Sequence, residues 1–297
     1  MIKKANTEKR SVISEVAPHI VNVLMLSSIY LLAALGFALV FSVMRIMNFA
    51  HGAIYMVGGY VCYYFWVVFG FNPWVSLALT TLVIALFGLF IERFCFRPFQ
   101  LDFEKAIVMA IALVIILQTA ANLTVGPTVK GLPSLLTAVI GVGDVMLKAD
   151  RVVVLAICIL LLVALTIFIQ KSKVGQSMLA IAQDRDAAAL QGINTNRISA
   201  LACAMGCGLA GLAGGLVGSV LVLHVGMANV ILVKIIAVVI IAGIGSIGGI
   251  WAGALILGAL GALGPYFLPA AVSDSLGLGL IILILVIRPQ GFFGQEV

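Results

Sequence analysis

An arginine, an asparagine and a histidine share one short apolar stretch: Met44-Arg45-Ile46-Met47-Asn48-Phe49-Ala50-His51-Gly52. Such groups are costly inside a membrane unless they pair or face a cavity. Two readings follow. Arg45 can mark the inner membrane surface, with Asn48 capping a helix that starts at Phe49. Alternatively Asn48, His51 and Gly52 line a substrate path, since broken helices that expose polar groups near the midplane build such sites. Both can hold at once. No second ligand lies in register with His51, so no metal site is expected there. Lys234 interrupts another apolar run, either snorkelling to the outer surface or meeting a substrate carboxylate or a partner helix. His224, just before it, reads as interfacial. Cys203 and Cys207 share a helix face, but no histidine or carboxylate is close in sequence, so they read as packing residues. No catalytic residue is expected.

The elements that must hold these residues are membrane helices. The chain of 297 residues is 63% hydrophobic and only 9% charged, with a mean hydropathy of +1.26; a soluble domain carries about 25% charged residues. A span needs about 20 apolar residues. Apolar runs place spans near 19–42, 50–69, 74–91, 106–124, 152–169, 200–222, 228–243, 250–268 and 274–287. The expected fold is therefore all-α: a single polytopic transmembrane helical bundle of about 8–10 spans over 1–297, with 1–18 as a polar tail. Lys3, Lys4, Lys9 and Arg10 precede the first run as in a signal peptide, but that run is too long for one and reads as a retained span. The pI near 9.2 is explained by membrane-orienting charge and not by a nucleic-acid partner.

Glycines crowd the second half. Gly211 with Gly215, Gly214 with Gly218, and Gly245, Gly249 and Gly253 are each four apart, a spacing that lets helix backbones approach closely. Gly243, Gly245, Gly248 and Gly249 are too dense for a regular helix and predict a break between two spans.

Residues 171–199 are the one long polar stretch in the second half. Good helix formers from Gln176 to Leu190 predict a short helix, bracketed by Gly175 and Gly192. Lys171, Lys173, Arg185 and Arg197 place it in the cytoplasm, where another protein could push on it. Alternating outward, Arg45, Arg93, Arg97, Lys105 and Arg288 also fall inside, against Lys130, Lys148 and Arg151 in the outer loops. The tail 1–18 does not, unless 19–69 crosses a different number of times. The longest outer loop, 125–151, is either a plain connector or a receiver for a delivering protein.

Several of these stretches together resemble one family. Met47-Asn48-Phe49-Ala50-His51-Gly52 with Gly58-Gly59-Tyr60, Ile91-Glu92-Arg93 followed by Arg97-Pro98, and Ala182-Gln183-Asp184-Arg185 through Leu190-Gln191-Gly192-Ile193-Asn194 carry the likeness. So do the 243–249 glycine segment and Arg288-Pro289-Gln290-Gly291. In order, over about 20–294, they resemble the permease of high-affinity branched-chain amino acid ABC importers. The resemblance implies a multi-pass bacterial inner-membrane protein. It also implies a second homologous permease, two cytoplasmic ATPase subunits and a periplasmic substrate-binding protein as partners. Residues 171–199 would then carry the helix that docks into the ATPase, with Gly175, Ala180, Asp184, Ala187, Ala188 and Gly192 in that contact; a charge at Ala188 is expected to spoil it. ATP is used by the partners and no cofactor is bound by this chain. Related permeases move urea, short-chain amides or aromatic acids.

Function classes separate on residues. The chain has no GxxxxGK[ST] loop to cradle phosphates. Its Asp and Glu residues fall in termini, loops and span ends, which argues against a proton-coupled carrier as the alternative. An intramembrane enzyme would need a nucleophile with a base, and neither His51 nor His224 has such a partner in sequence.

Overall fold

A computed structural model describes residues 2–100, 102–142, 145–243, 247–288 and 291. Eleven α-helices run through these residues: α1 Ile2–Met44, α2 His51–Tyr63, α3 Pro73–Ile91, α4 Phe103–Val125, α5 Ala149–Lys171, α6 Lys173–Gln183, α7 Arg185–Leu190, α8 Thr195–Val220, α9 Met227–Ala242, α10 Ile247–Phe267 and α11 Ala270–Ile287. Six helical stretches among them are long and apolar enough to cross a membrane, and α9 is a shorter apolar helix. The protein is an all-α polytopic membrane bundle.

Helix α8 is the hub, packing against α1, α2 and α3. Small residues make this possible. A methyl group on Gly58 would overlap the backbone of Gly211, and one on Gly214 would overlap the Tyr55 carbonyl, so α2 and α8 touch backbone to backbone. The outer faces of α3, α4 and α5 carry exposed residues such as Leu82, Ile115, Ile116 and Leu160, as helices facing lipid should.

The backbone of the 1–18 tail is not separate from the first span: α1 is continuous from Ile2, with Pro18 inside it and the membrane-grade part at Val16–Met44. Near that end Arg151 donates to Asn22. At the other end the Arg45 guanidinium Nη2 donates to the Ala182 carbonyl at 2.7 Å. The tail therefore lies at the end of the bundle opposite α6.

Residues 45–50 resolve the irregularity near 43–53. His51 Nε2 lies 3.1 Å from the carbonyl of Ala33, about 16 Å back along α1 from Met44 at 1.5 Å per residue. The chain turns at Arg45, whose φ is +55°, and climbs back beside α1. Helix α2 thus starts inside the bundle, not at its surface. Its first turn meets the first turns of α9: a methyl on Gly52 would overlap the Ala228 carbonyl and Leu232. Two helices of partial depth begin side by side.

The outer loop 125–151 contains short antiparallel ribbons. Lys130–Gly131 (β1) pairs with Val222–Leu223 (β4), and Val139–Val142 (β2) with Val145–Lys148 (β3). Leu132 N donates to the Gly218 carbonyl and Leu135 N to the Asp150 carboxylate. The loop is fastened over the outer ends of α8 and α5.

Candidate functional site

The segment 171–199 folds as two helices, not one. Ser172 caps α6 by accepting from Gly175 N at 2.9 Å. Asp184 breaks the run and caps α7, accepting from Asp186 N at 2.9 Å and Ala187 N at 3.0 Å. Gly175 sits in the α5–α6 elbow, where an added methyl would press on the carbonyls of Phe168 and Ile169. Gly192, with φ +83°, turns the chain into α8. Ala180 is half-buried against the core.

The orientation of α7 corrects one expectation. Ala188 is only 4% exposed, packed inside this chain, so it offers no surface to a partner. The exposed face instead carries Leu179, Gln183, Ala187 and Leu190. Leu190 is 88% exposed, an apolar side chain held out from a polar helix pair. In the sequence it reads as a helix former and a motif residue, not as a contact.

Polar contacts tie this helix pair to the membrane helices. Arg45 reaches α6 as described. Arg185 Nη2 donates to Gln100 Oε1 at 2.7 Å, and Gln100 Nε2 donates to Glu92 Oε1 at 3.2 Å. Glu92 is fully buried and takes a two-pronged bond from Arg97: Nη2 to Oε2 at 2.6 Å and Nε to Oε1 at 3.1 Å. A two-pronged arginine–carboxylate pair is strong and directional. Arg97 Nη2 also lies 3.4 Å from the Asn196 carbonyl in the first turn of α8. One chain of bonds thus joins α7, the α3–α4 junction and the hub helix. Glu92 opens a π-helical turn, Glu92–Phe96, a local distortion frequent at functional sites. The sequence showed Glu92, Arg97 and Arg185 as motif residues but not that they meet.

Asn48 does not cap α2. The N-cap is Ala50, with no side-chain bond. The Asn48 side chain is 1% exposed, and neither its oxygen nor its nitrogen has a hydrogen-bond partner. His51 is fully buried, edge-on to Phe37 with ring centroids 5.7 Å apart. Gly52 is packed against α9 and His51 against α1, and neither they nor Asn48 line a described cavity.

Lys234 does line one. Midway along α9, it does not snorkel outward. Its Nζ donates to the Tyr30 hydroxyl at 3.2 Å and lies 5.4 Å from that ring's centroid. A lysine at a helix centre costs about 2.5–3.5 kcal/mol on insertion scales, and here the Tyr30 hydroxyl of α1 meets the ammonium. The cavity holds about 200 Å³ and also contacts Tyr55, His224 and Met227. His224 is therefore a cavity residue. Among the glycines, Gly243 ends α9 with φ +85°, Gly248 is in the first turn of α10 and Gly249 is buried. Gly245, Pro289 and Gln290 lie outside the described residues. Cys203 and Cys207 are buried, with sulfurs 3.9 Å apart. Among the described residues no group of three or more His, Cys, Asp or Glu could hold a metal ion.

A multi-pass helical bundle with no nucleotide loop, a half-buried lysine at a cavity and a braced polar helix pair is a membrane permease in class. The chain belongs to the family described as branched-chain amino acid transport system / permease component, whose model matches residues 19–287. It is 34% identical over 288 residues to the high-affinity branched-chain amino acid transport system permease protein LivH of Escherichia coli K12, covering 91% of this chain and 92% of that one. It is 32% identical over 291 residues to the corresponding permease protein BraD of Pseudomonas aeruginosa, covering 93% and 95%. A probable branched-chain amino acid transport permease protein of Methanocaldococcus jannaschii is 26% identical over 289 residues, covering 91% and 90%. No solved structure matches the chain.

Proposed function

We propose that this chain is the transmembrane permease subunit of an importer for branched-chain or other hydrophobic amino acids, driven by separate ATPase subunits. The observation that carries the reading is the α6–α7 pair, bonded to α1 through Arg45 and to the α3–α4 junction through Arg185 while Leu190 projects outward. Force applied at Leu190 has a bonded route into the bundle. The names of the relatives supply the substrate class. A second homologous permease, two cytoplasmic ATPases and a periplasmic binding protein complete the machine.

In this reading Leu179, Ala187 and Leu190 form the docking face, with Gly175, Asp184 and Gly192 shaping it and Ala180 and Ala188 holding it from behind. Asn48, His51 and Gly52 act at the hinge where α2 and α9 begin, and Lys234 acts in the path itself. The cytoplasmic pieces are tested by cross-linking. Leu190→Cys, in the assembled complex, is expected to cross-link to an ATPase subunit in a yield that changes between nucleotide-free and ATP-bound states. Cross-links that form only to other copies of the permease would refute the docking face.

A further inference from the structure

We infer that the cavity around Lys234 is a carboxylate-binding station for a zwitterionic amino acid, a deepening that rests on the importer reading above. The volume of about 200 Å³ exceeds the ~150 Å³ cavity that takes up a benzene ring, so a small amino acid fits. The lining is divided by chemistry. Lys234 brings an ammonium group, and Tyr30, Tyr55 and His224 bring hydrogen-bonding groups; Val217, Met227 and Ile231 supply apolar wall. A cation suits a carboxylate, and the apolar wall suits a branched aliphatic side chain. A neutral amide or urea would gain little from the cation.

The surroundings favour the same ligand. Lys234 is held toward Tyr30 of α1 and not toward the surface. Met227, at the first position of α9, lies on the same cavity, and the positive end of a helix dipole favours an anion. The exposed residues Leu221 and Val222 rim it beside the β1–β4 ribbon. The cavity adjoins the close packing of Gly52 against Ala228 and Leu232, since Met227 and Ile231 on the same helix line it.

The experiment uses the full complex in proteoliposomes, with its binding protein and ATPases, and follows leucine uptake. Lys234→Met is expected to lower maximal uptake about tenfold or more, the loss of one charge-assisted bond, while Lys234→Arg retains most of it. Lys234→Cys, combined with Cys95→Ala, is then alkylated. An aminoethyl group, which restores the ammonium, is expected to recover uptake; a propyl group of similar size is not. Wild-type uptake by Lys234→Met overturns the inference alone. So does a loss that both reagents or neither reagent repairs, since the lysine is then packing. A wild-type complex that imports no amino acid takes down the importer reading and the inference with it.

Discussion

Glu92 is an acid without access to water, so its stability depends on what faces it. Removing one partner of a fully buried ion pair costs ~3–5 kcal/mol. Arg97 is about a third exposed (34%), so Glu92→Ala is expected to cost less, about 2–3 kcal/mol by the same reasoning. A fall in the melting temperature of the purified protein checks this. Arg185→Ala removes an accessible bond to Gln100 and is expected to cost under about 1 kcal/mol. Its effect should appear in coupling: ATP hydrolysis continues while uptake per ATP falls. Equal melting temperatures for Glu92→Ala and wild type would contradict the first expectation. An unchanged ratio of uptake to hydrolysis in Arg185→Ala would contradict the second. The sequence marked these residues one by one. Their meeting was not legible, because Arg185 and Gln100 are 85 residues apart and no local pattern encodes the contact.

At the scale of elements, the α6–α7 pair and the two partial helices are expected to behave differently under substitution. Ala188→Asp would bury a charge inside the chain, at a cost of about 2 kcal/mol or more, and is expected to reduce the amount of folded protein. Leu190→Asp changes an exposed residue and should leave the stability within about 0.5 kcal/mol of wild type while abolishing co-purification of the ATPase. Folded Ala188→Asp with normal stability, or Leu190→Asp that retains its ATPase, would contradict the assigned faces. The helical stretch was legible from its good helix formers; the break at Asp184 and the direction of each face were not, since both depend on where α6 packs. Likewise the polar residues at 44–52 signalled an irregular element. Its depth was hidden, because His51 is placed by the Ala33 carbonyl of another helix. The meeting of α2 with α8 also limits size: Gly214→Ala is expected to cost about 1–3 kcal/mol by overpacking against Tyr55. Thermal unfolding of that variant measures it.

For the whole molecule, apolar runs found the bundle, because hydrophobic length acts without knowledge of tertiary contacts. The helical continuity of 1–18 with α1 was not legible, since Lys3, Lys4, Lys9 and Arg10 set those residues apart from the apolar run. What the bundle lacks is an energy source: the chain carries no phosphate-cradling loop. The most direct test is leucine uptake into proteoliposomes that hold a proton gradient outside and ATP inside. This chain with its partner permease and binding protein, but without ATPases, is expected to concentrate no leucine under the gradient. Adding the ATPases should start uptake that stops when ATP is withheld. Concentrative uptake driven by the gradient alone, with no ATPase present, would contradict the account and make the protein a self-contained carrier.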